Sequence, residues 1–140
     1  MAYIDTSLLV AYYCPEFLSD AAARVIGGGD FPCINPLVEV EFCSALGIKI
    51  RTGELTVPPA ERILSRFRLH LEEGRYCVVP LKPGEYALAA EWIARFSTPL
   101  RTADALHLAS AFTNELRLLT ADRRLARSAE HFGVDCELIE

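Results

Sequence analysis

Ala2-Tyr3-Ile4-Asp5-Thr6-Ser7-Leu8-Leu9-Val10-Ala11-Tyr12-Tyr13 places three apolar residues directly before an acid, two hydroxyls and an apolar run. The first three read as a short strand, and Leu8 to Tyr13 as a helix entered through Asp5-Thr6-Ser7. The same alternation continues downstream, with Gly or Pro at most joins. Pro15-Glu16 opens a second helix that Gly27-Gly28-Gly29 stops. Phe31 to Ile34 reads as a strand, and Pro36 starts a helix that runs to about Arg51 and closes at Gly53. Pro58-Pro59 sits where proline is tolerated, in the first turn of a helix that reaches Glu73 and ends at Gly74. Arg75 to Pro80 is a third strand, followed by helices Pro83 to Phe96 and Thr102 to Asn114, split at Thr98-Pro99. Arg117 to Thr120 is a fourth strand, Asp122 to Phe132 a helix closed by Gly133, and Val134 to Ile139 a last strand. Strands separated by helices pair in parallel through right-handed crossovers. The expected fold class is α/β, a three-layer α/β/α sandwich around a central, mostly parallel sheet. Residues 1–140 read as one domain, without repeat, linker or low-complexity tract.

Composition agrees with a globular chain. Hydrophobic residues make up 51% and charged ones 24%, and no stretch approaches the roughly 20 apolar residues that span a bilayer. The N-terminus lacks a basic segment and meets an acid at position 5, so no signal peptide is expected and a cytoplasmic location is the default. The five cysteines are scattered with no C-x-x-C pair, which predicts buried thiols rather than disulfides or a zinc site. A net charge of −5 argues against holding nucleic acid by bulk charge alone. It leaves room for an enzyme with acids in a pocket and bases around its rim.

In a parallel α/β sheet, ligands bind beyond the carboxyl ends of the strands. Asp5 follows the first strand at once, and Asp122 comes two residues after the fourth. Each also reads as a helix cap, but two acids at equivalent strand ends favour a shared site. Asp104 stands in Ala103-Asp104-Ala105-Leu106-His107-Leu108-Ala109, a segment with few other polar residues. Such a helix is buried on most faces, where a carboxylate needs a partner or a metal. The helix from Pro36 carries Glu39 and Glu41, which point to nearly opposite sides. One of them can face a common pocket while the other is exposed or paired to a base; periodicity alone does not say which.

Several carboxylates in one pocket repel one another and require cations to ionise together. Hard divalent ions such as Mg²⁺ or Mn²⁺ prefer oxygen ligands. They suit phosphodiester hydrolysis, where a metal activates water and neutralises charge at phosphorus.

Four blocks now carry a resemblance: Tyr3-Ile4-Asp5-Thr6-Ser7-Leu8-Leu9-Val10 with Glu16, Glu41-Phe42-Cys43-Ser44-Ala45-Leu46, Leu100-Arg101-Thr102-Ala103-Asp104-Ala105-Leu106-His107-Leu108-Ala109, and Leu119-Thr120-Ala121-Asp122-Arg123-Arg124-Leu125. In this order and spacing the chain resembles PIN-domain proteins of the VapC toxin type over almost its whole length. The resemblance selects Glu41 over Glu39 and implies a catalytic and metal-binding set of Asp5, Glu41, Asp104 and Asp122 around Mg²⁺ or Mn²⁺. It assigns Thr6, Ser7 and Thr120 to supporting those carboxylates. It further implies an endoribonuclease, a small antitoxin partner and a homodimer, and it allows a larger toxin–antitoxin assembly.

Arg101, Arg123 and Arg124 flank the acids and are the expected RNA contacts, since arginine matches phosphate geometry. His107, one turn after Asp104, reads first as a satisfied core histidine and second as a group that orients the acid or touches RNA. Tyr12, Tyr13, Phe42, Trp92 and Phe112 read as core or interface. A haloacid-dehalogenase-like phosphoryl transferase would need Asp where Ser7 stands, and a receiver domain a lysine beyond Lys82. A catalytically silent PIN module that binds RNA or protein is the remaining alternative, and the intact acids speak against it.

Overall fold

The computed structural model describes residues 1–140. Its elements are β1 (Ala2–Ile4), α1 (Thr6–Tyr13), α2 (Ser19–Gly28), β2 (Pro32–Ile34), α3 (Pro36–Arg51), α4 (Val57–Glu72), β3 (Cys77–Val78), α5 (Pro83–Ala94), α6 (Thr102–Thr113), β4 (Arg117–Thr120), α7 (Arg123–His131) and β5 (Cys136–Leu138). All five strands join one sheet in the order β3-β2-β1-β4-β5, and every pairing is parallel. The sheet is therefore wholly parallel, and the first strand in sequence lies at its centre.

Alternation along the strands builds two cores. Ala2 and Ile4 of β1 and Leu119 of β4 pack with Leu8, Leu9, Phe42 and Phe67 from the face covered by α1–α4. Tyr3 and Leu118 point the other way, into Trp92, Leu108 and Leu125 of α5–α7. Both faces of the sheet are thus covered, as the three-layer reading expects. Aromatic rings fill the first core, where Phe67 lies 4.7 Å from Phe42 and 5.4 Å from Tyr13 between ring centroids. On the other face, Trp92 stacks on Phe132 at 4.8 Å.

Element ends differ from the sequence reading for local reasons. The second helix begins at Ser19 rather than at Pro15-Glu16, because the Ser19 hydroxyl accepts the Glu16 amide and donates to the Cys14 carbonyl, closing a turn. The third strand shrinks to Cys77–Val78. The amide of Arg75 is spent on the His70 carbonyl at the end of α4, and Pro80 has no amide to give. The last strand starts at Cys136, since the Val134 amide closes α7 on Ala129. All five cysteines are free, but only Cys14 and Cys33 are buried, while Cys43, Cys77 and Cys136 are partly exposed. No helix is long and apolar enough to cross a membrane.

Candidate active site

Chain direction reverses across the sheet between β1 and β4: from β1 the chain builds outward to β2 and β3, then returns beside β1 as β4. Such a switch point opens a crevice at the carboxyl ends of the strands. Register places Ile4 opposite Leu119, so Asp5 and Thr120 follow side by side.

Asp5 is the N-cap of α1 and is only 3% exposed. Its Oδ1 accepts the Leu8 amide at 3.1 Å, the Ser7 hydroxyl lies 2.8 Å from both carboxylate oxygens, and Thr120 donates to Oδ2 at 2.7 Å. Burial raises the Asp5 pKa above its usual value, and these donors together with the His107 charge oppose the rise. Asp5 is thus a helix cap, and the same carboxylate stands at the strand end where the site reading expects it. Asp122 likewise caps α7, its Oδ1 accepting the amides of Arg124 and Leu125 at 2.8 and 3.3 Å. Thr120 ties the two acids together, because its hydroxyl also accepts the Asp122 amide at 3.0 Å.

Glu41 projects from α3, its Oε1 accepting the Thr6 hydroxyl at 2.6 Å and also bonded to His107 Nε2. Burial would raise this carboxyl, but the hydrogen bond and charge of His107 and the Thr6 hydroxyl outweigh it and hold it below the usual range. Glu39 turns away and pairs with Arg68 at 3.5 Å. Asp104 lies in the first turn of α6 and takes no hydrogen bond from the protein. Burial raises its pKa most, the Asp122 and Glu41 charges add to that, and His107 and Arg101 partly offset it. Asp104 is thus within electrostatic reach of both Asp122 and Glu41.

The oxygens left without a protein donor are Glu41 Oε2, Asp122 Oδ2 and both of Asp104. An all-carboxylate set of this kind fits a hard divalent ion. It is not a finished cage: no group of three or more His, Cys, Asp or Glu stands ready to hold an ion as the side chains are placed. Repulsion between like charges holds such groups apart, and Asp5 is turned onto its own hydroxyl donors.

Arg101, Arg123 and Arg124 are exposed. Arg101 acts on Asp104, whereas Arg123 pairs with Glu140 at 2.9 Å, which reduces its availability as a contact. A groove of about 440 Å³ runs beside the acids, lined by Thr6, Ser7, Glu16, Glu41, Ser44 and Ile48. Glu16 sits at its margin, held by Lys49 at 2.7 Å. A larger concavity of about 700 Å³, between α7 and β5, contains none of the four acids. Sequence reading ranked His107 as a core residue first; it is buried and it also holds Glu41. Tyr3 and Asn35, which support it, were missed altogether, since a tyrosine in a strand and an asparagine before a helix look like ordinary packing and capping.

A family model described as PIN domain matches residues 2–130. No curated protein matches the chain in sequence. Among solved structures, VapC20 of Mycobacterium tuberculosis, described as a sarcin-ricin loop cleaving toxin, superimposes with a TM-score of 0.73 at 16% identity, covering 91% of this chain and 95% of that one. FitAcB from Neisseria gonorrhoeae gives 0.69 at 15% identity over 97% and 96% of the two chains. VapBC2 from Rickettsia felis, bound to a DNA fragment from its promoter, gives 0.70 at 14% identity over 100% of both. At such identities the shared property is the fold. The family match runs from β1 into α7 and takes in all four acids, and on that match the chain belongs to the PIN domain family.

Proposed function

We propose that this protein is a divalent-cation-dependent endoribonuclease and the toxin of a toxin–antitoxin pair. The observation that supports the reading is the tie of Asp5 and Asp122 through Thr120 at the switch point of the sheet, with Glu41 held there by Thr6 and Asp104 within electrostatic reach of Asp122 and Glu41. Bound Mg²⁺ or Mn²⁺ would supply the Lewis acid that activates water and neutralises phosphate charge.

The chain's own residues account for the rest. Asp104, Asp122 and Glu41 offer the ligand oxygens. Asp5, fixed by Ser7, Thr120 and the α1 amide, contributes a charge whose position does not drift. Arg101 and Arg124 stand exposed beside the acids to receive the RNA phosphates, with Arg123 the third candidate once released from Glu140. The solved toxin–antitoxin complexes of the same fold support a small antitoxin partner, a homodimer and a larger toxin–antitoxin assembly. A cytoplasmic site of action goes with this reading.

The test is cleavage of single-stranded RNA by purified protein with Mg²⁺ or Mn²⁺, beside EDTA, Asp5→Asn and Asp104→Asn. Cleavage is expected only in the uninhibited wild type. Activity surviving EDTA, or equal activity in both variants, would overturn the mechanism. RNA binding without any cleavage would favour the silent-scaffold alternative.

A further inference from the structure

One run of buried polar groups has no place yet in the proposed mechanism. It starts at Asn35, the N-cap of α3, whose Oδ1 accepts the Leu37 amide and whose Nδ2 donates to Ser110 Oγ at 3.0 Å. The Ser110 hydroxyl and the Asn35 backbone amide lie beside the hydroxyl oxygen of Tyr3. Tyr3 in turn sits 2.7 Å from His107 Nδ1, and His107 Nε2 reaches Glu41 Oε1. Asn35, Ser110 and Tyr3 are 0% exposed and His107 is 2% exposed. No buried side-chain nitrogen or oxygen in the molecule lacks a partner.

An ionised carboxylate only accepts, so Nε2 carries the proton it shares with Glu41. Nδ1 accepts the Tyr3 hydroxyl in the neutral imidazole and donates to its oxygen in the imidazolium, so Tyr3 holds the ring in either state. A fully satisfied buried network of this kind is rigid. It also joins three elements, β1, α3 and α6, so Glu41 is oriented by groups outside its own helix. Both of its protein donors, Thr6 and His107, land on Oε1 and leave Oε2 bare.

We infer that Tyr3 and His107 are positioning residues: the Tyr3–His107 relay clamps one oxygen of Glu41 so that the other is presented to a divalent cation. The inference rests on the proposed function, since it needs the acids to bind metal. Groups that orient a ligand in this way commonly change metal affinity by about 10–100-fold when removed.

The experiment measures Mn²⁺ binding by electron paramagnetic resonance on the intact chain, without RNA. The variants are Glu41→Gln, His107→Leu, His107→Gln and Tyr3→Phe, each checked for folding by circular dichroism. His107→Leu is expected to weaken Mn²⁺ binding about tenfold. His107→Gln, whose amide nitrogen approximates the Nε2 donor, is expected to recover most of that loss. Tyr3→Phe, which removes a single oxygen separated from Glu41 by the His107 ring, is expected to weaken binding several-fold. A purely structural role would lower the melting temperature alike in the Leu and Gln variants and leave the affinity of the folded protein unchanged. Affinity within twofold of wild type in His107→Leu and Tyr3→Phe, while Glu41→Gln is weakened, overturns the relay and leaves the proposed function standing. Should His107→Leu not fold, unchanged affinity in Tyr3→Phe overturns it alone. A wild type that binds no Mn²⁺ overturns both.

Discussion

Thr120 donates its hydroxyl to Asp5 Oδ2 at 2.7 Å while accepting the Asp122 amide at 3.0 Å, so one oxygen on β4 holds both strand-end acids. Thr120→Val keeps the shape and removes that oxygen. It leaves a buried carboxylate short of a donor and the Asp122 amide short of an acceptor, at a cost of about 1–3 kcal/mol. Urea unfolding should show that loss, and Thr120→Ser should restore most of it. A valine variant as stable as wild type would mean that water replaces the hydroxyl.

Asp104 is held in a place that suits chemistry better than folding. Burial and the Asp122 and Glu41 charges raise its pKa, which means that its ionised form is disfavoured where it stands. Asp104→Asn removes the charge with little change in shape. At neutral pH the variant should melt a few degrees higher than wild type while losing the RNA cleavage proposed above. A lower melting temperature would show that the carboxylate has a stabilising partner.

Acid stability should report on His70. Its Nδ1 lies 2.7 Å from the Tyr13 hydroxyl, which is also 2.7 Å from that of Tyr76. Burial, then the Arg75 and Arg66 charges, lower the His70 pKa in the folded protein. The unfolded chain, with a histidine pKa of about 6.5, therefore takes up this proton first as pH falls. The contribution of His70 is fully present above that value and is lost as pH drops towards the folded pKa. Urea midpoints between pH 7.5 and 5 should fall, and His70→Gln should flatten the slope. An identical slope in the variant would assign the acid sensitivity to other groups.

Phe67 tests the core beneath α4. It is 0% exposed and touches Tyr13, Phe42 and Tyr76. Phe67→Ala leaves a cavity that α1, α3 and the segment at Tyr76 would have to close, so the expected loss is about 3–5 kcal/mol. Calorimetry decides, and a loss below about 1 kcal/mol would mean that α4 collapses onto the space.

Much of this was legible in the chain. Apolar runs bounded by Gly and Pro marked every strand and helix, though not all of their ends, and an acid in the apolar α6 segment singled out Asp104. Strand order was less accessible: nothing in Ala2-Tyr3-Ile4 says that it pairs on both sides. The choice of Glu41 over Glu39 also needed more than periodicity, because α3 has apolar neighbours on both faces. In the structure Glu39 turns to Arg68 and Glu41 to His107. The relay through Tyr3 stayed hidden because its members come from three elements far apart in sequence, and each alone passes for packing or capping. The start of α2 was misplaced for a smaller reason, a serine hydroxyl that closes a turn before the helix begins.

The central place of β1 has a consequence for how the molecule comes into being on the ribosome. Its three residues are the first strand made, yet one of their two pairing partners is β4, at Arg117–Thr120. Until that segment emerges, Asp5 has neither Thr120 nor Asp122 beside it, and the crevice has one wall. An interrupted or truncated nascent chain therefore carries the first acids of the cluster without the means to assemble them.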